Sequence, residues 1–306
     1  MPASREIPRP SLSFRVRNDS LGKISVCNPM DLLSQTKYLI KKIGLKPDRF
    51  KGQNFCVDEN VIKTMVQTAA ISQDDTILEV GPGLGFLTQE LLKSAGKVIA
   101  VELDKQIVKL LRRLENVYPN LEVVEGNILR ITNDELRMTN YKIVANLPYN
   151  ITSAFLKKFL TAEHRPESMT LLLQKEVAER ICAKVGQMSL LSVSVQLYSQ
   201  PKIIRIVSRQ SFWPMPKVDS AILQIDRIQP FPFSQQVTEK VFWQVVRFGF
   251  SSKRKQLHNN LRSSLHLTPA QTARMFKAAG LDEKMRAQEL SLADWVKLAQ
   301  AFNTSC

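Results

Sequence analysis

The sequence predicts an α/β protein with an all-helical C-terminal part, and three observations support this. Apolar, β-branched segments alternate with amphipathic helical segments between residues 76 and 228, which is typical of a parallel sheet covered on both faces. A glycine-rich loop at 81–85 follows the first of these strands. After 228 the pattern predicts helices and no clear strand. We therefore expect a sheet domain over 30–228 and a small helical domain over 229–306.

The predicted elements follow this division in chain order. Amphipathic helices at 30–43 and 58–70 come first, the second with Asp58 as its N-cap. Short apolar runs rich in Val, Ile and Leu predict strands at 76–80, 97–101, 121–124, 142–145, 169–173, 202–207 and 220–228. Helical periodicity predicts the remaining helices at 86–93, 106–114, 152–160, 176–184, 190–198, 237–248, 253–263, 269–279 and 291–303.

Residues 1–29 are rich in Pro, Ser and Arg and show no sustained apolar periodicity. Such a segment cannot bury enough surface to offset its ordering entropy, so we expect a disordered extension. It has no apolar core of a secretory signal, and Glu6 and Asp19 argue against an organellar transit peptide. Met30 is an alternative start, and an organellar location stays open if the extension is genuine.

Composition indicates a soluble, basic protein. The formal charge is +15 and the pI is about 9.8, which favours a polyanionic partner without separating RNA, DNA and acidic membrane. No apolar stretch approaches the roughly 20 residues of a membrane span. The four cysteines are far apart and form no zinc-binding pattern with the three histidines, so we expect a reduced, cytoplasmic protein with no structural metal.

The glycine-rich loop predicts a cofactor site. Gly81, Gly83 and Gly85 let the backbone turn tightly and approach a ligand, although they could serve the turn alone. Their G-x-G-x-G spacing departs from the dinucleotide G-x-G-x-x-G and favours S-adenosylmethionine over NAD. Glu102 ends the next strand, where a carboxylate can bind both ribose hydroxyls. We expect Glu79 to hold the loop by accepting hydrogen bonds from its backbone amides.

The strand at 142–145 runs into Asn146, Leu147, Pro148 and Tyr149. In open α/β sheets, ligands bind at the carboxyl ends of the strands, which is where this tetrapeptide lies. The Asn amide and a backbone carbonyl fixed by the proline can accept both hydrogens of an exocyclic base amine, and the tyrosine can stack on the ring. Because a sulfonium methyl is strongly electrophilic, positioning can supply most of the catalysis without a general base.

Eight segments resemble the KsgA family of small-subunit ribosomal RNA adenine dimethyltransferases. In chain order they are KGQNF at 51–55, EVGPGLGFLT at 79–88, VELD at 101–104, NLPYNI at 146–151, LLQKEVAERI at 172–181, SFWPMPKVDSAIL at 211–223, FSSKRKQLHNNL at 250–261 and GLDEKMRAQELSLADW at 280–295. The resemblance covers residues 30–306. It implies a Rossmann-like methyltransferase fold that transfers methyl groups from S-adenosylmethionine to two adjacent adenosines in the 3′-terminal hairpin of small-subunit rRNA.

The resemblance also implies residue roles. Asn54, Cys56, Gly81 and Glu102 would border or bind the cofactor. Asn146 would link the cofactor to the target adenine. Phe212 would stack opposite Tyr149, although aromatic residues more often fill core space, and its proline-stiffened segment is not expected to form a regular strand.

Two positions depart from the family pattern. Cys56 stands where Leu is usual, and Asn127 stands where Asp usually binds the adenine amine of the cofactor. An Asn carbonyl oxygen still accepts that hydrogen bond but lacks the charge of a carboxylate. We therefore expect weaker cofactor affinity and retained activity.

A basic run is the candidate RNA contact. Lys253, Arg254 and Lys255 are expected to begin a helix that also carries Arg262, and such a helix can follow RNA phosphates or be a solvated face. The predicted partner is the precursor of the small ribosomal subunit, bound by a monomer without membrane association. Two alternatives stay open: an Erm-like large-subunit rRNA methyltransferase, and a noncatalytic nucleic-acid-binding factor.

Overall fold

The computed structural model describes residues 30–47, 53–132, 135–136, 138–148 and 150–305. The predicted extension at 1–29 lies outside the described residues. The strands in the described part of the chain are β1 Phe55–Cys56, β2 Thr76–Val80, β3 Lys97–Glu102, β4 Leu121–Glu125, β5 Lys142–Asn146, β6 Ser168–Gln174, β7 Gln200–Val207, β8 Phe212–Trp213 and β9 Ser220–Asp226.

The α-helices of the described residues begin and end within three residues of the predicted positions, except α9, which begins four residues later than predicted. They are α1 Leu32–Ile43, α2 Glu59–Thr68, α3 Phe86–Leu92, α4 Lys105–Glu115, α5 Thr152–Leu160, α6 Lys175–Ile181, α7 Leu190–Gln196, α8 Glu239–Gly249, α9 Leu257–Leu265, α10 Pro269–Ala279 and α11 Leu292–Ser305. Side-chain caps fix several starts: Asp58 accepts from the Asn60 amide, as predicted, and Thr268 accepts from the Gln271 amide.

Seven strands form one sheet in the order β4-β3-β2-β5-β6-β9-β7. The first five are parallel, whereas β9 and β7 are antiparallel to their neighbours. The expectation of a parallel sheet is therefore correct for five strands and wrong for the last two. A single 3-10 turn at Arg209–Ser211 and the short β8 connect β7 to β9 in place of an α-helical crossover, so β9 runs antiparallel to β7 and to β6. The strand order reverses between β2 and β5, which is where such sheets bind ligands.

Buried side chains pack on both faces of the sheet. One face packs against α1 to α4, and the other packs against α5 to α7 and the C-terminal helices, with Trp295 fully buried. Tyr198 after α7 donates a hydrogen bond to Glu239 of α8, and Trp243 Nε1 donates to the Tyr198 hydroxyl at 2.9 Å. The predicted boundary at 228 thus separates a part with strands and helices from an all-helical part, but the hydrophobic core continues across this boundary.

A two-stranded ribbon lies beside the sheet. β1 and β8 pair antiparallel, with Phe55 opposite Trp213 and Cys56 opposite Phe212. The Val57 amide extends the pairing by donating to the Ser211 carbonyl at 2.8 Å. The expectation that the segment around Phe212 forms no strand is therefore wrong for these two residues, because the partner strand 55–56 supplies the hydrogen bonds.

Candidate active site

A cavity of about 330 Å³ lies at the carboxyl ends of β2, β3, β4 and β5. The segment 53–56 closes one side, and Gln53 Nε2 donates a hydrogen bond to Asp104 beyond β3 at 3.4 Å. The cavity therefore occupies the point where the strand order reverses. This is the position that the sequence predicts for the cofactor and the target base.

The glycine-rich loop forms the floor of the cavity. Gly81, Gly83 and Gly85 have φ values of 65°, 55° and 81°, a region that other residues rarely adopt. A Cβ on Gly83 would lie 3.2 Å from the Phe55 ring, and one on Gly81 would lie 3.7 Å from Pro148 Cδ. The loop therefore passes close to both the 53–56 segment and the segment that follows β5.

Glu102 at the end of β3 is held by backbone amides. Its Oε1 accepts from the amides of Leu103 and Asp104 at 2.8 and 2.9 Å, and its Oε2 accepts from the Gly83 amide at 3.4 Å. Burial raises the pKa of this carboxyl, although the three amides act against that rise. The long contact to Oε2 leaves this oxygen able to accept a stronger hydrogen bond from a ribose hydroxyl.

Glu79 on β2 does not hold the loop, so that expectation is wrong. The loop amides bond elsewhere: Gly81 donates to the Val101 carbonyl and Gly85 donates to the Pro82 carbonyl. Among the described residues, no well-formed hydrogen bond reaches either carboxyl oxygen of Glu79, which is 1% exposed and lines the cavity. Burial raises its pKa to about 8; nearby Thr88 opposes this rise and Glu102 adds to it.

Asn146 at the end of β5 is anchored by the 53–56 segment. Its Nδ2 donates to the Asn54 carbonyl oxygen at 3.1 Å. Because the two ends of a planar amide are fixed relative to each other, this bond also fixes the direction of Oδ1, the acceptor end. Asn54, Asn146 and Pro148 all line the cavity. The structure thus brings together three predicted residues that are up to 94 positions apart in the sequence.

The two departures from the family pattern also line the cavity. Asn127 follows β4, and its Oδ1 accepts a hydrogen bond from the Leu129 amide at 2.9 Å. Cys56 Sγ donates to the Asp58 carbonyl at 3.7 Å, and burial raises the thiol pKa to about 12. The thiol is therefore neutral at physiological pH and serves as a small apolar wall.

Not every predicted residue reaches the cavity. Leu147 is 1% exposed and packs in the core, and Gly85 packs against Leu114 as the N-cap of α3. Phe212 is 3% exposed and packs within the core on the α1–α4 face. Tyr149 lies outside the described residues. The catalytic assignments of Leu147, Phe212 and Tyr149 and the cofactor-binding assignment of Gly85 stay predictions.

The chain is similar to known proteins over most of its length. The family model for ribosomal RNA adenine dimethylase matches residues 45–304. The chain belongs to the ribosomal RNA adenine dimethylase family. The predictions of the family, of its α/β methyltransferase fold and of an rRNA-methylating enzyme are thereby confirmed.

Individual relatives agree with this membership. "Ribosomal RNA small subunit methyltransferase A" of Dehalococcoides mccartyi strain BAV1 is 40% identical over 279 residues, which are 90% of this chain and 96% of the relative. The protein of the same name from Clostridium botulinum strain Okra is 39% identical, covering 87% of this chain and 98% of its own length.

Two solved structures are also similar. The 23S rRNA methyltransferase ErmE is 28% identical with a TM-score of 0.66, covering 82% of this chain and 100% of its own. A dimethyladenosine transferase from Plasmodium falciparum has the same identity, 28%, and TM-score, 0.66, with 81% and 97% covered. The fold is therefore shared with a solved 23S rRNA methyltransferase and a solved dimethyladenosine transferase.

In this family member the basic run does not begin a helix, contrary to expectation. Lys253, Arg254 and Lys255 are exposed in the turn between α8 and α9, whose N-cap is Gln256. Three cations inside the first helical turn would oppose the positive end of the helix dipole. Asn260 Nδ2 instead fixes the turn by donating to the Gly249 and Ser252 carbonyls at 2.7 and 2.9 Å. Arg262 is exposed on α9.

The cavity residues that sequence reasoning missed include two apolar ones close to strand ends. Leu103, 61% exposed, follows Glu102, and Ile128, 4% exposed, follows Asn127. Apolar groups at these two strand ends suit the faces of a planar base. Their positions in the sequence could have identified them, because each directly follows a polar residue that the sequence analysis singled out near a strand end.

In the described part of the chain, no cluster of three or more His, Cys, Asp or Glu residues could hold a metal, and no helix has the length and apolarity to cross a membrane.

Proposed function

We propose that this enzyme transfers methyl groups from S-adenosylmethionine to the exocyclic amines of two adjacent adenosines in the 3′-terminal hairpin of small-subunit rRNA, during ribosome assembly. The observation that carries the proposal is the anchored amide of Asn146, which lies in the same cavity as Glu102. In this proposal the cavity would combine a nucleoside site with an acceptor for a base amine. The names of the bacterial relatives support the small subunit as the substrate.

The residues present fit S-adenosylmethionine. Glu102 offers a carboxylate oxygen for ribose hydroxyls, and the next strand end presents Asn127 for the adenine. The buried carboxyl of Glu79, which no described residue bonds well, suits the cationic end of the molecule. S-adenosylmethionine would supply an electrophilic methyl group at the edge of the cavity that faces Asn146.

Asn146 would prepare the adenine amine as a nucleophile. The amine lone pair is delocalised into the ring, so an acceptor bonded to an N–H draws the nitrogen toward a tetrahedral geometry. Asn146 Oδ1 can be that acceptor because Nδ2 is held by the Asn54 carbonyl. Each transfer forms one N–C bond, breaks one S–C bond and releases one amine proton to solvent. Orientation and electrostatics supply the catalysis, and no general base is required.

In this proposal, the aromatic side chains that stack on the target base must first rearrange. The target base must leave its stack, at a cost of a few kcal/mol, and enter beside Asn146. Phe212 is buried and pairs with Cys56 in the β1–β8 ribbon, so its ring can face a base only after the ribbon shifts. We propose that RNA binding drives this shift, with Tyr149 on the opposite face of the base.

The remaining features follow from the substrate. We propose that Lys253, Arg254, Lys255 and Arg262 contact rRNA phosphates, since all four are exposed and the chain carries a net charge of +15. The enzyme would act as a cytoplasmic monomer on a precursor of the small subunit. Neutralising the three turn cations should weaken RNA binding and reduce its salt dependence.

The test is methyl transfer from labelled S-adenosylmethionine to immature small subunits, large subunits and naked rRNAs, followed by mapping of the modified adenines. Asn146→Ala is the catalytic control. The proposal predicts N6,N6-dimethyladenosine near the 3′ end of small-subunit rRNA with the wild type and not with the variant. Absence of label on every RNA despite tight RNA binding would contradict it and favour a noncatalytic factor.

A second candidate is methylation of large-subunit rRNA. It is favoured by the similarity to ErmE, which has a TM-score of 0.66 over 82% of this chain. The same experiment decides between the two, because label confined to large-subunit RNA would assign the second function.

A further inference from the structure

The short loop after β4 is a closed single turn at the cofactor cavity. Asn127 Oδ1 accepts from the Leu129 amide, and the Asn127 carbonyl accepts from the Arg130 and Ile131 amides at 2.8 and 3.1 Å. Gly126 brings the two ends together, because a Cβ there would lie 2.7 Å from Ile131 Cδ1. Asn127 thus caps the start of the turn with the same side chain that lines the cavity.

The end of this turn is held from a distant helix. Lys158 on α5 donates through Nζ to the Ile128 carbonyl at 2.6 Å and also to the Ile131 carbonyl. Glu135 adds an electrostatic attraction for the ammonium, and burial lowers the pKa of Lys158. A cation at the carboxyl end of a helical turn is stabilising because the last carbonyls lack partners within the turn.

The position of α5 gives this contact a functional consequence. The helix begins at Thr152, directly after the segment that carries Asn146, so the ammonium joins the turn after β4 to the helix after β5. We propose that Lys158 is a positioning residue that fixes Asn127 and Ile128 against the cofactor and ties them to the catalytic segment. This inference rests on the proposed function, and it assigns a residue that the sequence motifs do not include.

The proposed positioning role of Lys158 can be distinguished by experiment from a role in folding. α5 is anchored by four buried apolar side chains, namely Phe155, Leu156, Phe159 and Leu160. Replacing Lys158 with Met keeps the stem of the side chain and removes only the ammonium. The helix therefore stays packed while the Ile128 and Ile131 carbonyls lose their donor.

The experiment compares Lys158→Met with Lys157→Met, which removes the adjacent, exposed lysine of the same helix. Calorimetry measures binding of S-adenosylhomocysteine and of 5′-methylthioadenosine, and thermal unfolding is followed for each variant. We expect Lys158→Met to weaken the binding of both nucleosides by about tenfold, which is the size of effect expected when a charge-assisted hydrogen bond is lost. Lys157→Met should bind like the wild type, and Lys158→Arg should recover part of the loss.

Steady-state kinetics give a second readout. Since the Lys158 ammonium holds the turn on the cofactor side of the cavity, Lys158→Met should raise the KM for S-adenosylmethionine and leave kcat within about twofold. Wild-type affinity in Lys158→Met would overturn the positioning role, and so would a loss confined to kcat. If the wild type bound neither nucleoside, the proposed function itself would fail, which is a different result.

Discussion

The two halves of the cavity differ in how completely they are formed. On the cofactor side, the loop glycines, Glu102 and Asn127 are fixed by backbone hydrogen bonds within the described chain. On the target-base side, Asn146 is anchored, but Phe212 is buried in the ribbon next to Cys56. Under the proposed function, the cofactor would therefore enter a preformed site, whereas the base would complete its own site on binding.

The difference follows from the elements that build each half. The cofactor side is made by the ends of parallel strands, whose positions are set by the sheet register and the buried core. The base side depends on the ribbon of two-residue strands, which has few hydrogen bonds to hold it. Phe55 and Phe212 of this ribbon are buried, so exposing the Phe212 ring requires the ribbon to open, and its short ladder limits the number of backbone hydrogen bonds that must break.

The largest expected effect concerns the base side. Asn146→Ala should lower kcat by about 10²- to 10³-fold, the range for removing one preorganised group that acts at the transition state. Affinity for S-adenosylhomocysteine should fall far less, since Asn146 belongs mainly to the other half. Single-turnover methylation and calorimetry measure the two quantities. Asn116→Ala, an exposed substitution after α4, is the control. Equal losses in both quantities would remove the division between the halves.

The next effect concerns the cofactor side. Glu102→Gln should weaken S-adenosylhomocysteine binding by about ten- to a hundredfold, because it removes charge-assisted hydrogen bonds to the ribose. The matched control is Glu125→Gln, since Glu125 lies beside Glu102 in the sheet register and is exposed. Calorimetry without RNA is the measurement. Unchanged affinity in Glu102→Gln would place the ribose elsewhere.

The ionisation of Glu79 gives a further test of the cofactor side of the cavity. Its folded pKa of about 8 exceeds its ordinary value of 4.5, so the folded protein keeps a proton that the unfolded chain loses. The free energy of unfolding should therefore fall as pH rises from about 4.5 to 8, and Glu79→Gln should lack this slope. Denaturant titrations across that range measure it.

Cation binding supplies a second readout for Glu79. Because S-adenosylmethionine lowers the pKa of a carboxyl beside its charge, binding near pH 7 should release up to about one proton. Calorimetry in buffers with different ionisation enthalpies counts that proton. A release that persists in Glu79→Gln would assign it to another group.

The smallest expected effect concerns Asn127. Asn127→Asp should tighten S-adenosylhomocysteine binding by about two- to fivefold, because a carboxylate can cap the Leu129 amide with one oxygen and accept from the adenine amine with the other. Calorimetry is the measurement, with kcat expected to stay unchanged. Weaker binding in the Asp variant would show that the Nδ2 donor of Asn127 is used.

Much of the fold follows from sequence periodicity. The ranges of β2, α5 and α10 coincide with the predicted ones, because strong apolar patterns determine them and the Thr268 cap also fixes the start of α10. The β1–β8 ribbon could not be predicted, since two-residue strands have no periodicity and their pairing joins positions more than 150 residues apart. The basic turn was misplaced for a related reason, because helical periodicity continues through it while Asn260 fixes the turn from α9.

The residues of the candidate site also divide into those that the sequence predicts and those that it does not. Strand-end position placed Glu102 and Asn146 at the cavity, because strand ends meet at one edge of a sheet, and the family resemblance placed Asn54 and Asn127 there. The isolation of Glu79 and the contacts of Lys158 depend on how distant segments pack, so they required coordinates.

The most direct test of a preformed cofactor half is calorimetry of the wild-type protein with S-adenosylhomocysteine in the absence of RNA. The account predicts one binding site per chain, with an affinity that changes by less than about threefold when rRNA is added. Heat of binding that appears only after rRNA is added would contradict it, because the cofactor site would then be assembled by the substrate.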